Sequence, residues 1–413
     1  MRAFCIMAVL AVAGPVTAQK VYEKHANAAA VGGSLKRSVV RSDAARRYLD
    51  MPLRAHYQPG PAALRLPPAR FRTSPTPSQE DAPQMVPPGG LLYFASYRQR
   101  DNPAPVRNPH LVGALFTVYW SDVEPRPGVF DWSTLERRIA LWTAAGKKVA
   151  VRLMWSSSGT WPEPAAKRPT PQFVLDAGAV IVRAEKSNTE VPLVWDPVYR
   201  QYAVRFLREV ARKFDGDPNV LFIDVTPGAE TNPYRFRRIN AQEPGFKERF
   251  LRTPASDGRC YSHSLWLATV KQGVDDARAA FRRTPLLVTL NVGSLDGPEQ
   301  FQAIGAHGVE RGCYVGQNGL NGRSYATDSP RQHAFLAWGE QTRLYFEMVD
   351  ASGPGTGSLM EVMKAAERIG CDYLGVYAVD VLRGTQGQPN YDPAFEEALA
   401  YGATVLGRLD RRR

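Results

Sequence analysis

The sequence predicts a (β/α)8 barrel that begins near Gly89, and three observations lead to it. Eight apolar, mostly β-rich runs recur between residues 91 and 379, and amphipathic helices separate several of them. The ends of those runs are rich in carboxylates, amides and aromatic rings, the side chains expected at the working face of such a barrel. With 413 residues, 44% hydrophobic and 22% charged, the chain can bury a sizeable core and lies outside the membrane-spanning and collagen-like classes.

The segment before the barrel does not read as folded. Arg2 supplies a positive charge, Ala3 to Val12 an apolar core, and Val16-Thr17-Ala18 the small residues of a cleavage site before Gln19, so residues 1–18 read as a signal peptide. An exported protein, periplasmic or secreted, is expected. The apolar run is too short to span a bilayer and no later stretch could, so no integral membrane association is expected.

Residues 19–88 hold ten prolines, with 11 Lys or Arg against 5 Asp or Glu, and little apolar periodicity. Such a stretch buries too little surface to offset its ordering entropy and reads as a mostly disordered, Pro-rich basic linker. It also accounts for half of the net charge of +12, because 11 − 5 = 6. The remaining excess is thinly spread and forms no nucleic-acid module, so no nucleic-acid partner is expected.

The barrel is assigned to residues 89–413. Its strands are read at Leu91 to Ser96, Gly113 to Tyr119, Lys148 to Trp155, Val220 to Thr226, Leu286 to Val292, Cys313 to Asn318, Leu344 to Val349 and Tyr373 to Val379. Amphipathic helices are read at Ser133 to Ala145, Asp196 to Phe214, Ser264 to Arg283 and Ser358 to Ile369. Asp196 precedes Pro197 at a first helical position, and Ser133 precedes Glu136 by three, as in a capping box. No GxGxxG follows the first strand, which argues against a doubly wound dinucleotide fold.

Once Cys5 leaves with the signal, Cys260, Cys313 and Cys371 remain, enough for one disulfide at most and without zinc-site spacing. A Cys260–Cys313 bridge stays open, and Cys371 reads as a buried free thiol. No cofactor is implied.

Chemistry in this architecture sits at the C-terminal ends of the strands. Those ends carry Tyr97 and Arg98, then Trp120, Asp122 and Glu124, then Trp155, Glu230, Asn291, Gln317 with Asn318, Glu347 with Tyr345, and Asp380. Amides and carboxylates hydrogen-bond hydroxyls, while Trp and Tyr faces cover the apolar side of a sugar ring, so a carbohydrate partner is expected. Trp120, Trp155, Asn232, Asn291, Gln317, Asn318, Tyr345 and Asp380 are the candidate substrate contacts. Arg152 and Asp224 fall inside neighbouring apolar strands, where an interior ion pair beside the catalytic groups is expected.

The string VYWSDVEPRPGVFDWSTLERRIALWTAAGKKVAVRLMW and the later VPLVWDPVYRQYAVRFLREVARKFDGDPNVLFIDVTPGAE resemble clan A glycoside hydrolases, in particular their β-galactosidase-like and cellulase-like branches. The resemblance implies an acid/base Glu at the end of strand four and a nucleophile Glu at the end of strand seven. Glu230 and Glu347 stand at those positions, 117 residues apart (347 − 230).

One feature departs from the clan. Ala229 stands where an Asn that binds the sugar 2-hydroxyl is usual, with Asn232 as a substitute. The run TPGAETNPY also resembles the acid loop of the inverting β-amylases, so an inverting glycosidase and a catalytically inactive carbohydrate-binding barrel both stay open. The long segments Ser156 to Val194 and Thr231 to His263 exceed what a plain barrel needs and are expected to wall the cleft.

Overall fold

The computed structural model describes residues 89–95, 102–156, 168–226, 236–290 and 298–406. The signal peptide and linker, and Tyr97, Arg98, Glu230, Asn232 and Asn291 among the candidate residues, lie outside the described residues.

In chain order the strands are β1 Gly90–Ala95, β2 Leu111–Tyr119, β3 Lys148–Met154, β4 Ile181–Ala184, β5 Thr189–Pro192, β6 Val220–Asp224, β7 Leu286–Thr289, β8 Tyr314–Leu320, β9 Leu344–Met348 and β10 Tyr373–Tyr377. Eight of them close into a parallel barrel in the order β1-β10-β9-β8-β7-β6-β3-β2. The remaining two, β4 and β5, form an antiparallel hairpin outside it. The helices are α1 Trp120–Val123, α2 Ser133–Thr143, α3 Gln172–Asp176, α4 Pro197–Phe214, α5 Phe236–Gln242, α6 Phe246–Arg252, α7 His263–Ala280, α8 Pro298–Glu310, α9 Pro330–Gly339, α10 Leu359–Arg368, α11 Ala378–Arg383 and α12 Pro393–Val405. The fold is a (β/α)8 barrel, with all eight predicted strands in place.

Two apolar layers hold it together. Inside the barrel, Leu92, Phe94, Leu115, Ala150, Phe222, Leu287, Tyr345 and Tyr373 fill the lower interior, with Phe222 edge-on to Tyr314 and Tyr345. Outside it, the opposite strand faces pack against the apolar stripes of the helices in one continuous cluster. In α4 that stripe is Tyr199, Tyr202, Ala203, Phe206, Leu207, Val210 and Phe214, spaced at the helical period.

Local signals set several boundaries. Asp196 caps α4 by accepting from Tyr199 N–H, with Pro197 at the first helical position. The capping box expected at Ser133 and Glu136 does not form. Asp131 Oδ1 accepts from Ser133 N–H instead, and those hydrogen bonds lower the Asp131 pKa. A complete capping box is found at Ser358 and Glu361, at the start of α10.

The thiols close one alternative that the sequence leaves open, and Cys371 is the buried free thiol expected. Cys260, Cys313 and Cys371 are all free, so the Cys260–Cys313 bridge is absent. Cys260 is exposed, whereas burial pushes the Cys313 thiol up to about 12. Among the described residues, no helix is long and apolar enough to cross a membrane.

Where they are described, the two long segments carry secondary structure. The first contains α3 and the β4–β5 hairpin, and the second α5 and α6. The second carries an aromatic cluster in which Phe236 packs on Phe246 and Phe250, and Trp195, just past the first, meets Phe250 and Tyr261. Arg249 Nη2 donates to Arg183 O of β4 at 2.8 Å, tying α6 to the hairpin.

Candidate active site

Alternation along each strand turns every second side chain into the barrel, and near the C-terminal rim those interior positions become polar. Arg152 pairs in register with Asp224 across β3 and β6, and Asn318 with Glu347 across β8 and β9. All four are buried, Arg152 completely. A charge in such a position is costly unless it is paired and hydrogen-bonded.

Arg152 connects the carboxylates. Its Nε lies 3.0 Å from Asp224 Oδ2 and its Nη1 2.6 Å from Glu347 Oε2, while Nη2 donates to Asn318 Oδ1 at 3.3 Å and to Tyr345 Oη at 3.4 Å. The guanidinium also lies 5.5 Å from the Phe94 ring centroid and 5.9 Å from that of Tyr345. The expected interior pair is formed, and the same guanidinium reaches across the barrel to Glu347.

Asp224 is fixed in turn. Its Oδ1 accepts from Thr226 N and Thr226 Oγ1 at 3.2 and 2.7 Å, and its Oδ2 accepts from Thr289 Oγ1 at 2.9 Å. Thr226 Oγ1 accepts from Thr289 N–H at 2.8 Å, which closes the network between β6 and β7. Thr226, Thr289 and Phe94 were not singled out from the sequence. Their strand-face positions were readable, but two threonines and a phenylalanine carry no chemical flag.

Glu347 Oε2 has a second donor, Tyr345 Oη, at 3.1 Å. Burial first, and then the Glu347 charge, push the Tyr345 pKa well above its ordinary value, so the phenol keeps its proton and donates it. Gly375 of β10 faces this pair in register with Glu347. A Cβ added there would stand 2.6 Å from Tyr345 Oη and 3.4 Å from Glu347 Cγ. Strand eight of the barrel is therefore glycine at the point where its neighbour carries the carboxylate.

The other candidates fall at different places. Gln317 is half-buried and accepts from Tyr325 Oη at 2.9 Å. Asp380, in α11 just past the last barrel strand, is buried and accepts from Ser352 N and Oγ at 2.8 and 3.0 Å; burial raises its pKa despite those donors. Trp155 is nearly covered, with Nε1 donating to Thr226 O at 2.8 Å and its own carbonyl accepting from Tyr199 Oη and Thr170 Oγ1. It braces the end of β3 against that of β6.

Trp120 is not brought to the barrel mouth. It is fully buried, stacked on Phe206 at 5.0 Å and edge-on to Tyr199, with Nε1 donating to Glu124 Oε2 at 2.7 Å. Its ring packs under α4, the usual role of a strand-end Trp beside an aromatic helix stripe. Glu124 Oε1 accepts from Gly128 N–H at 2.9 Å and so braces the turn that follows α1.

No His/Cys/Asp/Glu cluster among the described residues could hold a metal ion.

Comparison with known proteins agrees with this architecture. Residues 112–235, which run from β2 through β6, match a glycoside hydrolase family described as β-galactosidase. The catalytic domain of the β-amylase from Paenibacillus polymyxa superposes with a TM-score of 0.53 at 12% identity, covering 76% of this chain and 99% of that one. The β-galactosidase from the psychrophilic Marinomonas ef1 superposes with a TM-score of 0.45 at 13% identity, over 76% of this chain and 59% of that one. No curated protein matches the chain in sequence. The β-amylase match shows the same kind of fold, and the closed parallel barrel of this chain is a (β/α)8 barrel.

Proposed function

We propose that the protein is a retaining glycoside hydrolase in which Glu347 is the nucleophile and Glu230 the acid/base. The observation that carries this reading is the buried Glu347 at the C-terminal end of barrel strand seven, held at Oε2 by Arg152 and Tyr345. A nucleophilic carboxylate must be charged and aimed, and a guanidinium at 2.6 Å favours the charged form while two donors fix the rotamer.

The chemistry then runs in two steps. Glu347 attacks the anomeric carbon, the bond to the leaving oxygen breaks, and that oxygen takes the Glu230 proton, leaving a glycosyl ester on Glu347. Water next attacks the anomeric carbon and gives a proton to Glu230, and the ester bond breaks to restore both carboxyl groups. Such double displacement requires carboxyl groups about 5–5.5 Å apart.

A second reading, an inverting hydrolase with Glu347 as base, is favoured by TPGAETNPY and by the β-amylase fold match. It requires a separation of about 6.5–9.5 Å, which leaves room for a water. The anomer of the first product, followed by NMR, distinguishes the two.

The test of the activity itself is reducing-end release from a panel of glycans by wild type, Glu230→Gln and Glu347→Gln. Turnover by wild type with a loss of roughly a thousandfold or more in each variant supports the assignment. Equal activity in all three proteins sinks it, and sugar affinity without turnover in wild type would instead identify a binding barrel. Export belongs to the same proposal: N-terminal sequencing of the mature protein should begin at Gln19.

A further inference from the structure

A second cleft lies on the outside of the barrel, between the C-terminal halves of α4 and α7. Its volume is about 540 Å³, and Arg208, Arg212, Asp215, Asp276, Arg282 and Arg283 supply its polar lining. Helices in this fold run antiparallel to the strands, so the ends of α4 and α7 lie on the face opposite the carboxyl ends of the strands. Nearer Trp155 a separate void of only about 20 Å³ lies between the two helices. The cleft is thus separate from the barrel mouth.

Its charge is unbalanced: four guanidinium groups face two carboxylates, a surplus of two positive charges. Both carboxylates are already engaged. Asp276 takes Arg200 Nη2 at 2.7 Å, and Asp215 accepts three backbone N–H groups, from Arg282, Arg283 and Thr284, which hold its pKa down against burial. Arg212 pairs with Glu209. Arg208 and Arg282 are exposed and have no side-chain partner among the described residues.

Helix-dipole compensation accounts for only part of this set. The last turn of α4 has Arg212 and Lys213 and that of α7 has Arg278, so of the four cleft arginines dipole compensation covers Arg212 alone; Arg208 lies before that turn, and Arg282 and Arg283 lie beyond α7. Arg283 is also held in place: its Nη2 donates to Asp215 O at 2.6 Å, and its guanidinium lies over Gly216, where an added Cβ would stand 2.4 Å from Cζ. Gly216 has φ +83°, so that position disfavours a side chain on two counts.

We propose that this cleft is an anion-binding site for a compact, multiply charged phosphate of the pyrophosphate class. Guanidinium forks match phosphate oxygens in pairs, and the volume falls within the roughly 300–1,000 Å³ of small-molecule sites. A single-charged anion would leave the surplus uncompensated. A dianion or larger neutralises it.

Isothermal titration of the full chain with inorganic pyrophosphate, at ionic strength held constant with sodium chloride, tests the proposal. Saturable one-to-one binding is expected, weakened at least tenfold in Arg208→Ala/Arg282→Ala with an unchanged melting temperature, since both side chains are exposed. Gly216→Ala, which displaces Arg283, should weaken it as well. Absence of saturable heat, equal affinity in the double variant, or full competition by chloride alone would overturn the site.

Discussion

Arg152 Nη1 lies 2.6 Å from Glu347 Oε2, although the two residues belong to strands on opposite sides of the barrel, β3 and β9. One guanidinium thereby serves two buried carboxylates, Asp224 on a neighbouring strand and Glu347 across the barrel. Charge compensation in the core and orientation of the proposed nucleophile are carried by the same side chain.

Removing that guanidinium should be expensive. Arg152→Met leaves two buried carboxylates without their cation, and breaking a buried pair costs about 3–5 kcal/mol. Urea unfolding should show a loss of that order, and the cycle with Glu347→Gln should show coupling above about 0.5 kcal/mol. Additive effects would mean that the two residues do not stabilise one another.

Gly375 provides a steric test. In Gly375→Ala the new Cβ would meet Tyr345 Oη at 2.6 Å and displace the phenol from Glu347. A fall in kcat of roughly ten- to a hundredfold is expected, because misplacement by about an ångström costs that much. Tyr345→Phe should lower kcat while the protein stays folded. Wild-type kcat in Gly375→Ala would show that the Tyr345–Glu347 hydrogen bond is dispensable.

Trp120 should report on stability and not on substrate. Trp120→Phe shrinks a fully buried ring and removes the donor to Glu124, which predicts a loss of about 1–3 kcal/mol in chemical denaturation with KM unchanged. A raised KM with unaltered stability would return Trp120 to the sugar site.

For Asp380, burial raises the carboxyl pKa, so its charged form weakens the fold as pH rises through the range between the unfolded value, about 3.9, and the higher folded one. Asp380→Asn should therefore be more stable than wild type at pH 7 and equal to it below about pH 3.5. Melting curves at both pH values check the sign. A variant less stable only at neutral pH would contradict it.

The strands were legible because each is a short apolar run ended by turn residues, and their observed limits agree with the sequence reading to within a few residues. Helices α9 and α12 were passed over even though Ser329-Pro330 and Asp392-Pro393 carry the same cap-then-proline signal as Asp196-Pro197. Their surrounding periodicity is weak. The hairpin Ile181–Pro192 was hidden inside a segment read as loop, since two four-residue strands leave little period to count.

At the site, the Arg152–Asp224 pair could be read from strand neighbourhood. The contact from Arg152 to Glu347 could not, because it depends on closure of the barrel. Trp120 shows the limit of reading a strand end as a ligand contact: the residue after an interior-facing position points back into the helix layer.

The central claim is that Glu347 is the nucleophile. It is tested most directly by chemical rescue of Glu347→Ala with sodium azide, using the aryl glycoside that wild type cleaves. The account predicts that the variant is inactive alone and that azide restores turnover, yielding a glycosyl azide whose anomeric configuration is opposite to that of the substrate. Wild-type activity in Glu347→Ala, or azide present without any glycosyl azide formed, would contradict it.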